Sequence, residues 1–313
     1  MKALVLEERR VLRVAEWEEP IATDGYSIID VAVAGIGGSE YLGFNNPGIR
    51  ALPSIMGHGI TGVSPNGKRV AVFPLSGCNH CEYCHTNQTQ LCESWHLIGV
   101  QSSGGFAEKV LVPNEAIVEL PDNLTWEQSS FIEPFANAVN AWEISEANQT
   151  HTVAIIGAGG LGLGLTACAR RAGCLTIAVV ELSAPRRLAA EYLGANQSDA
   201  QQLGEFDIVF DTVGSEETRK TAVEMCRKGG KCVFLGFASA LSEFNMAAII
   251  RHQKKLMGSF VYTKAQFEQA IDLAQACDSS WVTNVRFEAV EDHLLRFLDN
   301  DFRTVKVALR PSW

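Results

Sequence analysis

Four cysteines, Cys78, Cys81, Cys84 and Cys92, stand in one short loop with gaps of two, two and seven residues. Thiolates that close suit a single tetrahedral ion, and all-sulfur ligation favours zinc. A closed four-cysteine shell leaves no open coordination position, so the expected chemistry is structural. The ion would stiffen a loop too polar to pack by itself. His80 and His85 lie inside the loop and are read as solvent-facing, because four thiolates suffice. The other five cysteines, Cys168, Cys174, Cys226, Cys232 and Cys277, fall in apolar helix or strand patterns and are assigned to the core.

The second chemical grouping is Val153 to Gly164, VAIIGAGGLGLG. A short apolar run, Val153-Ala154-Ile155-Ile156, suits a buried parallel strand. It ends in Gly157, Gly159 and Gly162, with Gly160 and Leu161 completing the turn, and a helix-like stretch follows. This is the spacing of a dinucleotide-binding turn. One glycine makes the turn, one lets the pyrophosphate approach the backbone, and one lets helix and strand pack closely. The phosphates are expected on the unpaired N–H groups of the helix N-terminus. Glu181 closes the next apolar strand, where a carboxylate bonds the ribose hydroxyls and repels a 2′-phosphate. NAD is therefore expected in preference to NADP.

The elements that must position these groups divide into two patterns. Residues 1–125 read as short strands and turns, opening on a hairpin (MKALVLEERRVLRV). From Val153 the pattern alternates: strands at 153–157, 176–181, 207–211, 231–236 and 256–260, and helices at 161–172, 184–193, 216–227 and 264–275. That alternation predicts a doubly wound parallel sheet. Arg303 to Leu309 returns to strand and could rejoin the first domain.

At 313 residues a two-domain chain with a large core is expected. The formal net charge of −10 and the lack of a basic run argue against a nucleic-acid surface. No apolar stretch is long enough to span a bilayer. The N-terminus lacks the apolar core of a signal peptide, so a cytoplasmic protein with cysteines in thiol or metal-bound form is expected.

With these residues in place, the chain resembles the medium-chain dehydrogenase/reductase superfamily, the zinc-type alcohol dehydrogenases, nearly end to end. The opening hairpin, the four-cysteine loop, GGFAEKVLVP, IEPFANAVNA at Ile132–Ala141, IIGAGGLGLG and FDIVFDTVG at Phe206–Gly214 carry the likeness. The IEP element points to the polyol and sugar-alcohol branch, with its sorbitol, threonine and galactitol-phosphate dehydrogenases. The resemblance implies an α/β protein. A GroES-like, mainly-β catalytic domain (1–125 and 284–313) accompanies a Rossmann NAD(P)-binding domain (126–283). It also implies a small-molecule substrate and a homodimer or homotetramer.

The same resemblance locates a catalytic zinc site and shows it incomplete. The family takes a cysteine from a C-G-S-D turn, a histidine from a G-H-E turn, and a glutamate from that turn or the E-P element. Here the turns read Gly37-Gly38-Ser39-Glu40 and Gly57-His58-Gly59, so two ligands are replaced by glycine. His58 and Glu133 remain, one fewer than the three protein ligands such a zinc takes. Glu40 stands where the family's Asp orients the histidine, and Ser39 where the alcohol proton is relayed. Such a metal brings the pKa of a bound water from about 16 to about 7, a far larger effect than the roughly 10²–10⁴-fold of acid–base catalysis.

Three readings stay open at this stage. His58, Glu133 and Glu40 hold a zinc and a polyol or its ketone is the substrate; or the site is metal-free and reduces an activated carbonyl or enone; or the chain binds NAD(H) without turnover. By resemblance Arg186 sits beside the adenosine ribose, and Arg187 reads as a solvated helix face. Lys306 is matched to the family's closing-strand cation near the cofactor, with Arg303 an equal candidate. Tyr41, Phe44, Asn45, Asn46 and Trp95 are candidate pocket walls. For Arg50 and the two asparagines, hydroxyl or phosphate binding and plain loop polarity account equally well.

Overall fold

The computed structural model describes residues 1–197, 204–299 and 301–311. It divides into two compact units, Met1–Glu133 with Thr263–Trp313, and Pro134–Tyr262. These limits differ from the expected 125/126 and 283/284. The segment after 263 belongs with the first unit because Gln128 donates to the carbonyls of Gln275 and Cys277, and Phe267 meets Phe73 edge-on.

The first unit is mainly strand. Lys2–Glu8 pairs antiparallel with Val11–Glu16 as the expected hairpin, and with Ser54–Ile55. A seven-stranded sheet is organised around the long strand Tyr26–Ile36. On one side it pairs with Gly59–Val63, followed by Arg69–Val72 and Ile117–Glu119. On the other, Lys109–Pro113 takes its first half and Lys306–Leu309 its last residues. The closing strand thus rejoins the first unit, with Val282–Val285 parallel beside it. The core behind the sheet gathers Leu4, Leu6, Ile29, Phe44, Ile55 and Phe106, all at most 2% exposed. Helix Phe287–Leu298, absent from the sequence expectation, seals it through Phe287, Val290 and Leu294. That i, i+3, i+7 spacing marks one apolar helix face.

The second unit holds the doubly wound parallel sheet. Its strand order is Ile177–Val180, Val153–Ile156, Phe206–Asp211, Cys226–Phe234 and Lys255–Gly258, every neighbouring pair parallel. Val153–Ile156 is an inner strand, paired on both sides, and wholly buried, as a strand covered on both faces must be. Helices Gly160–Ala172, Ala184–Leu193 and Glu216–Met225 provide the crossovers. The third stops two residues short of expectation because Cys226 enters a strand longer than the 231–236 anticipated. A further helix, Met246–His252, was not expected. Among the described residues no helix is long and apolar enough to cross a membrane.

Candidate active site

Strand pairing brings the first group of site residues together. Gly35 and Gly59 are register partners, so the C-terminal end of Tyr26–Ile36 lies beside the N-terminal end of Gly59–Val63. Ser39 and Glu40 open the helix Gly38–Asn45 just past the first end, and His58 immediately precedes the second. Glu133 sits in the first turn of helix Ile132–Ser145. It packs against Gly59, where an added Cβ would lie 3.5 Å from the Glu133 Cβ.

The other three side chains are arranged around the His58 imidazole. Glu40 Oε1 approaches His58 Nδ1 to 2.7 Å, an ion-pair contact off the line of a good hydrogen bond. The other Glu40 oxygen accepts from the Gly37 amide at 2.8 Å and from Ser39 Oγ at 3.2 Å. On the opposite ring edge, His58 Nε2 lies 3.1 Å from Ser39 Oγ and 3.5 Å from Glu133 Oε1. Glu40 and His58 are buried at 2% and 5% exposure, while Ser39 is exposed. A buried ring thus reaches the surface through one hydroxyl.

Charge follows from this geometry. Burial alone would push the Glu40 carboxyl up, but the facing imidazolium and the Gly37 amide outweigh it and hold the group at about 2. Burial alone would strip the His58 proton, but Glu40 and Glu133 outweigh it and hold the ring at about 10. The pair is ionised at neutral pH. Lys306, buried behind it, donates from Nζ to the Ile36 carbonyl at 3.0 Å and adds a smaller pull on Glu40.

This donor set does not fit a catalytic zinc. Glu40 faces Nδ1, the far edge of the ring from Glu133, so it cannot join His58 Nε2 and Glu133 around one ion. Two donors remain where three protein ligands are needed. The expectation that Glu40 could serve as a third ligand is therefore corrected: it fixes the ring from behind, as an outer carboxylate does.

The cysteine loop does fit a metal. Among the described residues Cys78, Cys81, Cys84 and Cys92 are the one cluster of metal-ligating groups, with sulfurs all within 4.8 Å of one another. Cys78 and Cys84 Sγ are 4.0 Å apart, close to the roughly 3.8 Å edge of a tetrahedron with about 2.3 Å zinc–sulfur bonds. Backbone amides of Cys78 and Cys84 already donate to the sulfurs of Cys92 and Cys81. His80 and His85 are exposed, and the remaining five cysteines are buried.

In the second unit the glycine turn has the required form. Gly157 leaves the strand at φ +90°, and Gly159 precedes the first helical residue, Gly160. A Cβ at Gly162 would fall 1.9 Å from the Gly157 carbonyl oxygen, so only glycine permits this helix–strand approach. Leu161 is half-buried on the first turn. Glu181 accepts from the Ala158 amide at 2.7 Å and the Ser183 amide at 2.8 Å, tying the glycine turn to the start of the next helix. Arg186 is half-buried on that helix. Arg187 is not a solvated face: its guanidinium donates to the carbonyls of Glu181 and Leu182.

Several expected pocket residues serve the core or the loops. Phe44 is fully buried, and Tyr41 stacks on Phe297 with ring centroids 3.6 Å apart. Asn45 accepts from Arg9 and Arg10, and Asn46 from the Gly48 amide. Trp95 is half-buried in the cysteine-loop region. Arg303 is mostly exposed and pairs with Asp301. The sequence left Arg50 undecided, and the structure sets it against Gly43.

Residues 160–276 match the family model of a zinc-binding dehydrogenase, and residues 23–122 that of an alcohol dehydrogenase GroES-like domain. The chain is 28% identical to the L-galactonate-5-dehydrogenase of Escherichia coli strain K12, over 85% of each chain. It is also 28% identical to the sorbitol dehydrogenase of Bacillus subtilis strain 168, over 100% of this chain and 98% of that one. A solved zinc-binding dehydrogenase from Sinorhizobium meliloti 1021, bound to NADP, superposes with a TM-score of 0.90 at 26% identity over 99% of both chains.

Proposed function

Since the chain belongs to the zinc-type alcohol dehydrogenase family, we propose that it is a nicotinamide-dependent oxidoreductase interconverting an alcohol or polyol and its ketone. The observation that carries the reading is the Glu40–His58–Ser39 chain, a buried imidazolium opening onto an exposed hydroxyl. Relatives named for L-galactonate and for sorbitol act on hydroxyl-rich small molecules.

The nicotinamide, when bound, supplies or accepts the hydride. The chain's own residues handle the oxygen. In reduction, negative charge develops on the carbonyl oxygen, and the His58 cation with the Ser39 hydroxyl stabilises it where no third metal ligand exists. The oxygen takes a proton from Ser39 Oγ, which takes one from His58 Nε2. Glu40 keeps the ring oriented by its contact at Nδ1. The neutral histidine then regains a proton from solvent. In oxidation the path runs in reverse: His58 first releases its proton to solvent and then accepts the alcohol proton through Ser39.

The glycine turn from Gly157 to Gly162 leaves amides for the pyrophosphate, and Glu181 supports a preference for NAD. The four cysteines hold a structural zinc. A homodimer or homotetramer is the assembly that the family membership implies. The test is reduction of polyol-derived ketones with NADH deuterated at C4, and comparison of NADH and NADPH dissociation constants. Deuterium on the product carbinol carbon and tighter NADH are expected. Failure of every ketone to oxidise NADH overturns the reaction, and tighter NADPH overturns the role of Glu181.

A further inference from the structure

Arg50 is a half-buried cation that the mechanism above does not use. Its guanidinium lies flat on Gly43: a Cβ there would come within 2.4 Å of Nη1, 2.6 Å of Cζ and 2.9 Å of Nη2. Gly43 is in helix Gly38–Asn45, three residues beyond Glu40 and four beyond Ser39. A glycine inside a helix costs about 1 kcal/mol relative to alanine, and here it makes room for the guanidinium. Arg50 Nε donates to the Gly99 carbonyl at 3.3 Å, and Nη1 reaches the Pro47 carbonyl at 3.5 Å. Gly99 in turn packs on Gly57, the residue before His58, where an added Cβ would meet the Gly57 oxygen at 2.6 Å. The guanidinium thus lies against the helix that carries Ser39 and Glu40, and against Gly99, which itself packs on the residue before His58.

Its charge is not balanced. No carboxylate among the described residues forms an ion pair with Arg50, its two hydrogen bonds are long, and Nη2 makes none. Glu40 is near enough to be felt, yet burial still pulls Arg50 below its ordinary value. A partly desolvated arginine without a carboxylate is costly unless an anion completes it. A planar fork with open donors matches a carboxylate or phosphate in two-point fashion.

We infer that Arg50, seated on Gly43, binds the acid group of the substrate, so that the preferred substrates are hydroxylated chains bearing a carboxylate or phosphate several bonds from the reacting carbon. This rests on the reading of His58 and Ser39 as the reacting end. A role as a mere strut between residues 47 and 99 would need neither the charge nor the open Nη2.

The test is titration calorimetry of the full chain, with and without NADH, using sorbitol, D-gluconate and D-glucitol 6-phosphate. At least one of the two anions should bind about tenfold or more tightly than sorbitol, the scale of one charge-assisted contact. The two anions tell carboxylate from phosphate recognition. Arg50→Gln should reduce that advantage to about twofold or less. Gly43→Ala should do the same by displacing the guanidinium, although alanine is the better helix former. The alanine variant decides the matter if Arg50→Gln fails to fold. Sorbitol binding as tightly as both anions, no measurable binding of either anion, or an advantage that survives both substitutions overturns the inference. Loss of NADH-linked turnover with the anion advantage intact would fault the reaction instead.

Discussion

Metal content is the sharpest test of the catalytic arrangement. Wild-type protein, loaded with excess zinc and dialysed, is expected to retain one zinc ion per chain, in the four-cysteine loop. Gly37→Cys combined with Gly59→Glu is expected to retain two. Both substitutions fit the backbone. Gly37 has φ −131°, and a Cβ there would lie 3.4 Å from Glu40 Oε2. A Cβ at 59 would meet the Gly35 oxygen at 3.4 Å and the Glu133 Cβ at 3.5 Å. The new thiolate and carboxylate would join His58 Nε2 and Glu133, while Glu40 stays behind the ring. In the wild type a metal must also displace the proton that keeps His58 charged to about 10. At pH 7 that is about 3 units, or about 4 kcal/mol at about 1.36 per unit, a roughly 10³-fold loss of affinity on a site already one ligand short. The assay is zinc per chain by elemental mass spectrometry. Two zinc ions in the wild type, or one in the double variant, would refute the placement of the site.

Two further outcomes follow from the same geometry. Cys84→Ser should release the loop zinc and lower the melting temperature by about 5 °C or more, at about 2–4 °C per kcal/mol for a chain of this size. Unchanged zinc content would show that the loop is not its holder. Glu40→Gln should destabilise the fold by about 3–5 kcal/mol, because it leaves a buried cation facing a neutral group. The cost depends on pH. The raised His58 value contributes stability that is complete below 6.5 and lost as pH rises toward about 10; the depressed Glu40 value contributes above 4.5 and is lost as pH falls toward about 2. Urea denaturation of both proteins should therefore show the largest difference between about pH 4.5 and 6.5. A difference constant from pH 5 to 9 would rule out the ionised pair.

The parts of this protein most legible in the sequence are those fixed by short-range spacing. The cysteine gaps place four sulfurs together because a short loop can fold around one ion, and the glycine turn follows from steric needs at Gly157 and Gly162. The parallel sheet is visible because strand and helix patterns alternate, and two of its strands, Val153–Ile156 and Ile177–Val180, are continuous apolar runs. What long-range packing decides was less legible. Nothing local says that Glu40 faces Nδ1 rather than Nε2, since that depends on the pairing of strands ending at 36 and beginning at 59. Arg187 looks like surface charge until its carbonyl partners are known. Arg50 reads as a loop cation until Gly43 is seen beneath it. The helix Phe287–Leu298 is different: its apolar spacing was available in the sequence.

The buried pair itself argues for chemistry over structure. Removing two charges from water costs several kcal/mol per ion before their attraction is counted, and apolar residues of similar volume often fold as well or better. Glu40 and His58 at 2% and 5% exposure are therefore a poor device for stability alone. Their placement makes sense if the cation at Nε2 has work at the surface, and Ser39 is the exposed group it meets there. Gly37 and Gly59 are consistent with this. With a thiolate and a second carboxylate in those positions, the ring would be held neutral by a metal and could not donate a proton. With glycine in both, we propose that the imidazolium, held in place by the carboxylate behind it, supplies the positive charge expected from a metal.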